Sequence, residues 1–580
     1  MKTNRIPIVV GVTGHRDLRE VDLAPLQEAV RGILNDLRTQ FPDSPLILLS
    51  SLAEGADRLT AHVALDCGFE LLAPLPLPAA AYLEDFHTTA SQQEFSDLLA
   101  RAQSSFELPL TEGVTPENLH ESAYRVKQYA LAGEYVLRHC HILLALWDGR
   151  DSGKPGGTSQ VVRQKLSGYP VSVRPEWALL NPPDFGAVFH VMTPRESHPE
   201  VEGAYRLTEY HTEGRLFRTK EEADAAEKKG RTIFASLLER TNTFNQDLAR
   251  LEPVLEASLA RNKTALEGES SSSPDLQALR EQFVAADFLA THFQKKRHRS
   301  LLLLCILALE SPVCLAAYHS TSPDHPGNGI LCLFGFLAGA AAALAVYIIA
   351  KRGGYETRHL DYRALAEGLK ILFFWRVAGI HDDVGAQYLR KQRSEVDWIR
   401  LAVRAADLLT SLRTKPAEPY AWIKVQWLEH QLHYFEKSAA ACSKKEESCA
   451  WWTSALVVLG VGFALMMFVV QFYDYHEHRP LSAELSHHFH TLSVVIVGML
   501  AAAGSCAAYA EKLAFSQQAK QYKQMKALFS LAVNECEKCL DRGETDPVRA
   551  LIRRVGQEAL RENGDWVLLH RERPMELRIA

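Results

Sequence analysis

Apolar and polar positions follow two different rhythms along this chain. Over the first third, short and nearly continuous apolar runs are separated by stretches with helical spacing. Ile6–Thr13 (IPIVVGVT), Leu46–Ser50, Leu71–Leu77, Ile142–Trp147 and Ala187–Met192 read as buried strands, with a shorter segment at Phe106–Leu110. Helices are predicted over Leu23–Arg38, Ala56–Asp66, Tyr82–Ala102 and Tyr124–Arg138. Strands apolar on both faces that alternate with helices predict a Rossmann-like parallel sheet covered on both sides.

The second rhythm is coarser. Leu301–Tyr318, Gly329–Ala350, Trp451–Phe472 and Ser493–Ala510 are apolar runs near the length of about 20 residues that a helix needs to cross a bilayer core of about 30 Å. The last three carry no charge, and the first is interrupted by Glu310 and Pro312. Lys295, Lys296, Arg297 and Arg299 precede the first run; Lys351, Arg352 and Arg358 follow the second. Lys444 and Lys445 precede the third, and Lys512 follows the fourth. The short loops are nearly free of Lys and Arg, Arg479 excepted. The positive-inside rule therefore predicts a multi-pass inner-membrane protein with both termini in the cytoplasm. Glu310, an acidic side chain inside a span, is a candidate gate, because an ionisable group in hydrocarbon is costly. Small residues at four-residue spacing (Gly335, Gly339 and Ala343; Gly460 and Ala464; Gly498, Ala502, Cys506 and Ala510) allow close helix approach, within one chain or in a homo-oligomer.

Between and beyond these blocks the chain is helical and charged. Residues 196–275 read as a solvated, partly flexible helical linker ending in the low-complexity join Glu267–Asp275 (EGESSSSPD). Long cytosolic helices are predicted over Tyr355–Leu412, Tyr420–Lys437 and Ala514–Cys539. The division expected is 1–195 for the α/β domain, 196–275 for the linker, then 276–412 and 413–580 as two helix–span–span–helix units. The fold class is thus an α/β domain followed by an all-α membrane domain with four transmembrane helices.

Composition narrows the chemistry. A net charge of −6 gives no electrostatic case for duplex nucleic acid as a partner. Several of the ten cysteines lie inside apolar runs, as expected of small hydrophobes in a reducing compartment. The lone Cys536/Cys539 pair lacks the further ligands a zinc site needs, so no metal is expected. The chain opens polar before its first strand, so no signal peptide is expected. His476, His478, His487, His488 and His490 gather in the loop after the third span, which reads as a solvated polar loop, with metal binding or pH sensing as the alternative.

Chemistry-bearing residues fall where such sheets bind ligands, beyond the carboxyl ends of the strands. Gly14, His15 and Arg16 follow the first strand, and Ser51, Glu54, Gly55, Asp57 and Arg58 follow the second. Trp147, Asp148 and Gly149 end the ILLALW strand, and Gly156, Gly157 and Thr158 open another helix. Glycines admit a phosphate to the backbone, and helix N-termini offer free N–H groups. A phosphate-bearing ligand is the expectation.

VGVTGHR (Val10–Arg16), SLAEGAD (Ser51–Asp57), the helix carrying Tyr129, Gly133 and Tyr135, and LWDG with PGGTSQVV (Leu146–Gly149, Pro155–Val162) resemble the SLOG superfamily. That group holds DNA-processing A proteins, cytokinin-activating LOG enzymes and ligand sensors of antiviral systems. LOG-type hydrolases carry PGGxGTxxE, and PGGTSQVV lacks its second glycine–threonine pair and its glutamate. The resemblance therefore implies binding rather than that catalysis, with no catalytic residue assigned. DYRALAEGLKILFFW and the tail Glu558–Glu576 resemble the SLATT families, two-span effectors found with SLOG sensors or nucleotide-producing synthases. Together the resemblances imply a membrane effector of antiphage defence. It would be triggered by a nucleotide-derived signal, a cyclic dinucleotide or ADP-ribose-like molecule made by a synthase, and would act on membrane lipid by pore formation or disruption. No other cofactor is implied. A membrane-tethered enzyme cleaving a nucleotide or NAD at the same crevice is the alternative.

Overall fold

The computed structural model describes residues 4–151, 153, 156–167, 186–212, 220–261, 273–321, 326–389, 396–410, 416–417, 419–476 and 483–574. Most of the EGESSSSPD join, Pro155, His478 and Arg479 lie outside them. Contacts divide the chain into two units: Met1–Ala286 with Leu365–Glu418, and Asp287–Ala364 with Pro419–Ala580. The boundaries expected at 195, 275 and 412 do not coincide with this division.

The first unit is built on a seven-stranded sheet of order β4-β3-β2-β1-β5-β6-β7. Its strands are β1 (Ile8–Gly14), β2 (Leu46–Leu49), β3 (Glu70–Leu75), β4 (Ser104–Glu107), β5 (Ile142–Trp147), β6 (Gly186–Met192) and β7 (Leu207–Thr212). All neighbours are parallel except β6 and β7. Helices α1 (Glu20–Gln40), α2 (Ala56–Asp66), α3 (Ala79–Leu83), α4 (Thr89–Arg101), α5 (Ser122–His139) and α6 (Thr158–Ser167) connect the parallel strands. The predicted Tyr82–Ala102 helix is two, because Thr88 ends the intervening turn and caps α4 by accepting from the Ser91 N–H at 3.1 Å. Strand order reverses at β1: the chain builds outward through β2, β3 and β4, then returns to place β5 on the other side.

The stretch expected as a solvated linker is part of this unit. It supplies β7, and then α7 (Lys220–Arg261), in which Phe234, Leu237, Leu238, Phe244 and Leu248 are buried. Phe234 and Leu238 belong to the sheet's own core. Asn245 locks the helix to β1's entry: its Oδ1 accepts from the Ile6 N–H at 3.0 Å and its Nδ2 donates to the Ile6 carbonyl at 2.8 Å. The charged run before Phe234 hides this apolar stripe in the sequence.

Leu365–Glu418, encoded between the second and third apolar runs, also belongs to the first unit. From residue 274 the chain forms α8 (Pro274–Thr321), α9 (Pro326–Arg352), α10 (Tyr355–Val377), α11 (Val384–Gln387) and α12 (Asp397–Ala406). The single stalk expected over Tyr355–Leu412 is therefore three helices. Gly379, at φ +70°, ends α10, and Asp383 starts α11 by accepting from the Ala386 N–H at 2.8 Å.

The second unit is all-helical, completed by α13 (Tyr420–Ile423) with a π-helical stretch after it, α14 (His430–His476), α15 (Ala483–Lys512), α16 (Phe515–Asp541) and α17 (Thr545–Arg571). Among the described residues, four helical stretches are long and apolar enough to cross a membrane, with mean hydropathies of 2.2, 2.3, 2.4 and 1.9 in their most apolar segments. Only 11%, 11%, 6% and 6% of those segments are buried, so these are not core helices of a water-soluble body. A Cβ on Gly339 would lie 2.7 Å from Glu310 Oε2, so the Glu310 carboxylate rests against α9 inside the first hairpin. Outside the spans, Arg297–Glu356 (3.0 Å) and Arg571–Asp361 (2.6 Å) tie α8 to α10 and α17 to α10.

Candidate functional site

The crevice opens at the carboxyl ends of β1 and β5, where strand order reverses. It has a volume of about 590 Å³. Gly14 ends β1 so tightly that a Cβ would lie 2.3 Å from Ala56 Cβ and 2.7 Å from the Leu146 carbonyl oxygen. The close approach of β1, β5 and α2 forms the crevice floor. Gly55, at φ +76°, caps α2 with its Cα facing the carbonyl oxygens of His15 and Arg16, each 2.5 Å from where a Cβ would stand. Gly55→Ala combines a left-handed backbone with two backbone clashes, and is expected to cost about 2 kcal/mol or more. A thermal melt of the variant checks it.

Gly14, His15, Arg16, Ser51, Asp57, Trp147, Gly156, Gly157 and Thr158 all line the cavity. Arg16 reaches over the Tyr129 ring, its guanidinium carbon 5.5 Å from the centroid. The Thr158 hydroxyl donates to the Gly14 carbonyl at 3.1 Å, which ties the start of α6 to the end of β1. Gly156 turns at φ +72° so that Gly157, Thr158 and Ser159 meet the cavity at a helix N-terminus.

His15 is held by Asp148 behind the lining. Its Nε2 lies 3.0 Å from the Asp148 backbone N–H and 3.1 Å from Asp148 Oδ1. Arg195 Nε is 3.1 Å from Asp148 Oδ2 in an ion pair, so one buried carboxylate sits within salt-bridge distance of both an imidazole and a guanidinium. Burial holds the His15 imidazole below its ordinary value, against the pull of Asp148. Burial alone would raise the Asp148 carboxyl, but the Arg150 N–H, His15 and Arg195 outweigh it and keep it below the usual carboxylate range. Asp57 differs: burial pushes its carboxyl up to about 6, opposed by the Ala53 N–H and by Arg16.

Other expected contacts lie elsewhere. The Arg58 guanidinium, 2% exposed, donates to the Leu52 carbonyl (3.1 Å), the Ser91 carbonyl (2.9 Å) and Glu94 (3.0 Å), and stacks 4.2 Å from the Phe86 centroid. It pins α2 to α4 and takes no part in the lining. Glu54 accepts from the Ser91 hydroxyl on that same side. Gly149 makes the turn after β5 at φ +78° and is not among the residues that line the cavity. Conversely, Tyr82, Tyr129, Gly133, Arg150 and Arg195 line the cavity without having been singled out as ligand contacts. Arg195 follows β6 as Arg16 follows β1, so the strand-end rule points to it too. Tyr129 is fixed by donating to Asp85, which also accepts from Arg125 at 2.7 Å.

No protein-family model and no curated protein matches the chain. Among solved structures, the X-ray structure of DNA processing protein A (DprA) from Streptococcus pneumoniae is matched at 17% identity and a TM-score of 0.19. The match covers 28% of this chain and 49% of that one, about half its length. At that level the strand registers, not the likeness, carry the fold. The chain joins an N-terminal Rossmann-like α/β sheet to a helical part with four helices able to span a membrane.

Proposed function

We propose that the crevice binds a nucleotide-derived signal and that its occupancy switches the four-span part, making the protein a ligand-gated membrane effector. The observation that carries this reading is the meeting, in one cavity, of an α6 N-terminus with Arg16, Arg150 and Arg195. Helix N-termini and guanidinium groups are both phosphate binders. Tyr82, Tyr129 and Trp147 add ring surface of the kind that suits a base. The resemblance to SLOG sensors and SLATT effectors supports antiphage defence as the setting, pore formation or lipid disruption as the output, and a partner synthase as the source of a cyclic dinucleotide or ADP-ribose-like signal. Glu310, inside the first hairpin, is the candidate gate. The same reading has the chain in the inner membrane as a homo-oligomer with both termini cytoplasmic.

A second reading, a tethered enzyme that cleaves nucleotides or NAD, is favoured by one observation. Asp57 is a buried carboxyl tuned toward neutrality inside the crevice, as acid–base catalysts are.

The test uses the full chain in lipid nanodiscs, titrated calorimetrically with cyclic di-AMP and with ADP-ribose, the probe then recovered and chromatographed. Binding of one probe, returned intact and weakened about tenfold or more by Arg16→Ala, is the expected result. A probe returned cleaved would establish the enzyme instead. A folded chain that binds neither probe sinks the signal classes named.

A further inference from the structure

Helix α5 carries two stripes with different duties. Tyr129, Ala132, Gly133 and Val136, at helical spacing, line the cavity. On the adjoining stripe, Tyr135 and His139 are 7% and 3% exposed, their rings 4.3 Å apart. The Tyr135 hydroxyl donates to the carbonyl of Leu408, a residue 273 positions later in the chain. Leu408 adjoins Asp407, whose carboxylate accepts from Arg376 at 2.7 and 2.5 Å and from the Thr410 hydroxyl at 2.8 Å. Arg376 also donates to the Asp382 carbonyl at 3.1 Å, and Arg404 is 3.1 Å from Asp383. One helix therefore stands between the cavity and a buried ion-pair network in the chain that separates span two from span three.

We propose that α5 is the coupling element of the crevice. A ligand seated against Ala132 and Gly133 displaces the helix, and the Tyr135–Leu408 contact passes that displacement to residues 397–410. This rests on the reading of the crevice as a ligand site. Two features make the helix responsive. Ala132 and Gly133 leave almost bare backbone on the cavity side, so an occupant presses on the helix itself rather than on a side chain that can rotate away. On the far side the Tyr135 hydroxyl–Leu408 carbonyl bond is the directional part of the contact, and such bonds tolerate only a few tenths of an ångström before weakening. A small shift is thus converted into a made or broken contact, as packed interfaces convert small shifts elsewhere.

Hydrogen exchange on the full chain in nanodiscs tests this without any ligand. Ala132→Phe fills the cavity in place of an occupant, and Ala132→Val is the milder substitute. Either is expected to change exchange across 397–410 at least threefold, a shift of about the size of one hydrogen bond, while β7, on the far edge of the sheet, stays as in the parent. Tyr135→Phe, which removes one oxygen atom, is expected to speed exchange around Leu408 about fivefold and to blunt the effect of the Ala132 variants. Unchanged exchange across 397–410 in a folded Ala132 variant overturns the proposal, and so does an unaltered Leu408 region in Tyr135→Phe. Nucleotide binding plays no part in these readouts. A failure here is therefore distinct from a crevice that binds no nucleotide.

Discussion

Asp407→Ala is expected to destabilise the first unit by about 3 kcal/mol, because it leaves the Arg376 guanidinium charged and buried without its hydrogen-bonded carboxylate. The pair is dry, with side chains 1% and 10% exposed, and its two hydrogen bonds fix the guanidinium plane. Losing it also frees Thr410 and loosens the turn that offers the Leu408 carbonyl to Tyr135. Denaturant unfolding followed by tryptophan fluorescence should show an earlier first transition, since Trp375 and Trp398 are buried in the same segment. Arg376→Met with Asp407→Leu should recover part of the loss, because apolar replacement of a whole buried pair removes the stranded charge. A loss below about 1 kcal/mol for Asp407→Ala would mean that water reaches the pair.

Such a network was not legible in the sequence, and the reason is physical. The strands announce themselves because both faces are buried, so runs such as ILLALW have no polar position to confuse them. The spans announce themselves because lipid, like a core, accepts only apolar side chains. What joins distant pieces has no such signature. Arg376 and Asp407 look like ordinary charges on helical segments, and only the fold brings them together. Phe234, Leu238 and Asn245 were hidden in the same way, by a charged run that made α7 look like a spacer. At the crevice, the strand-end rule found Gly14, His15, Arg16, Asp57 and Thr158, but it could not say which way each side chain turns. Asp57 and Arg58 are neighbours on α2, about 100° apart around the helix axis, so one faces the cavity and the other faces α4. Ser91, far along the chain, takes Glu54 to that same face.

Asp57 is a group in the crevice whose cost to the fold can be measured directly. Its carboxyl is raised from 3.8 to about 6, chiefly by burial. A raised folded value means that the native state keeps the proton longer than the unfolded chain does. Well below pH 3.8 both states are protonated and there is no penalty. As pH rises toward 6 the unfolded chain has ionised and the native state resists, so stability falls; above that it levels off. The full loss from this group is about 3 kcal/mol. Asp57→Asn keeps the shape and an oxygen for the Ala53 N–H but cannot ionise. It is therefore expected to be more stable than the parent by up to about 3 kcal/mol at pH 8, with the advantage gone by about pH 3. Melting both proteins across that range checks the sign as well as the size. Equal melting temperatures at pH 8 would show that the carboxyl is solvated and that the crevice floor is open to water. The expected outcome would instead show that the fold tolerates a costly carboxyl at its cavity-facing edge, where a proton held near neutrality is useful to a binding or acid–base site. The same variant then separates the two readings. A sensor should lose the pH dependence of ligand affinity below neutrality, whereas a nucleotide-cleaving enzyme should lose turnover while its affinity stays.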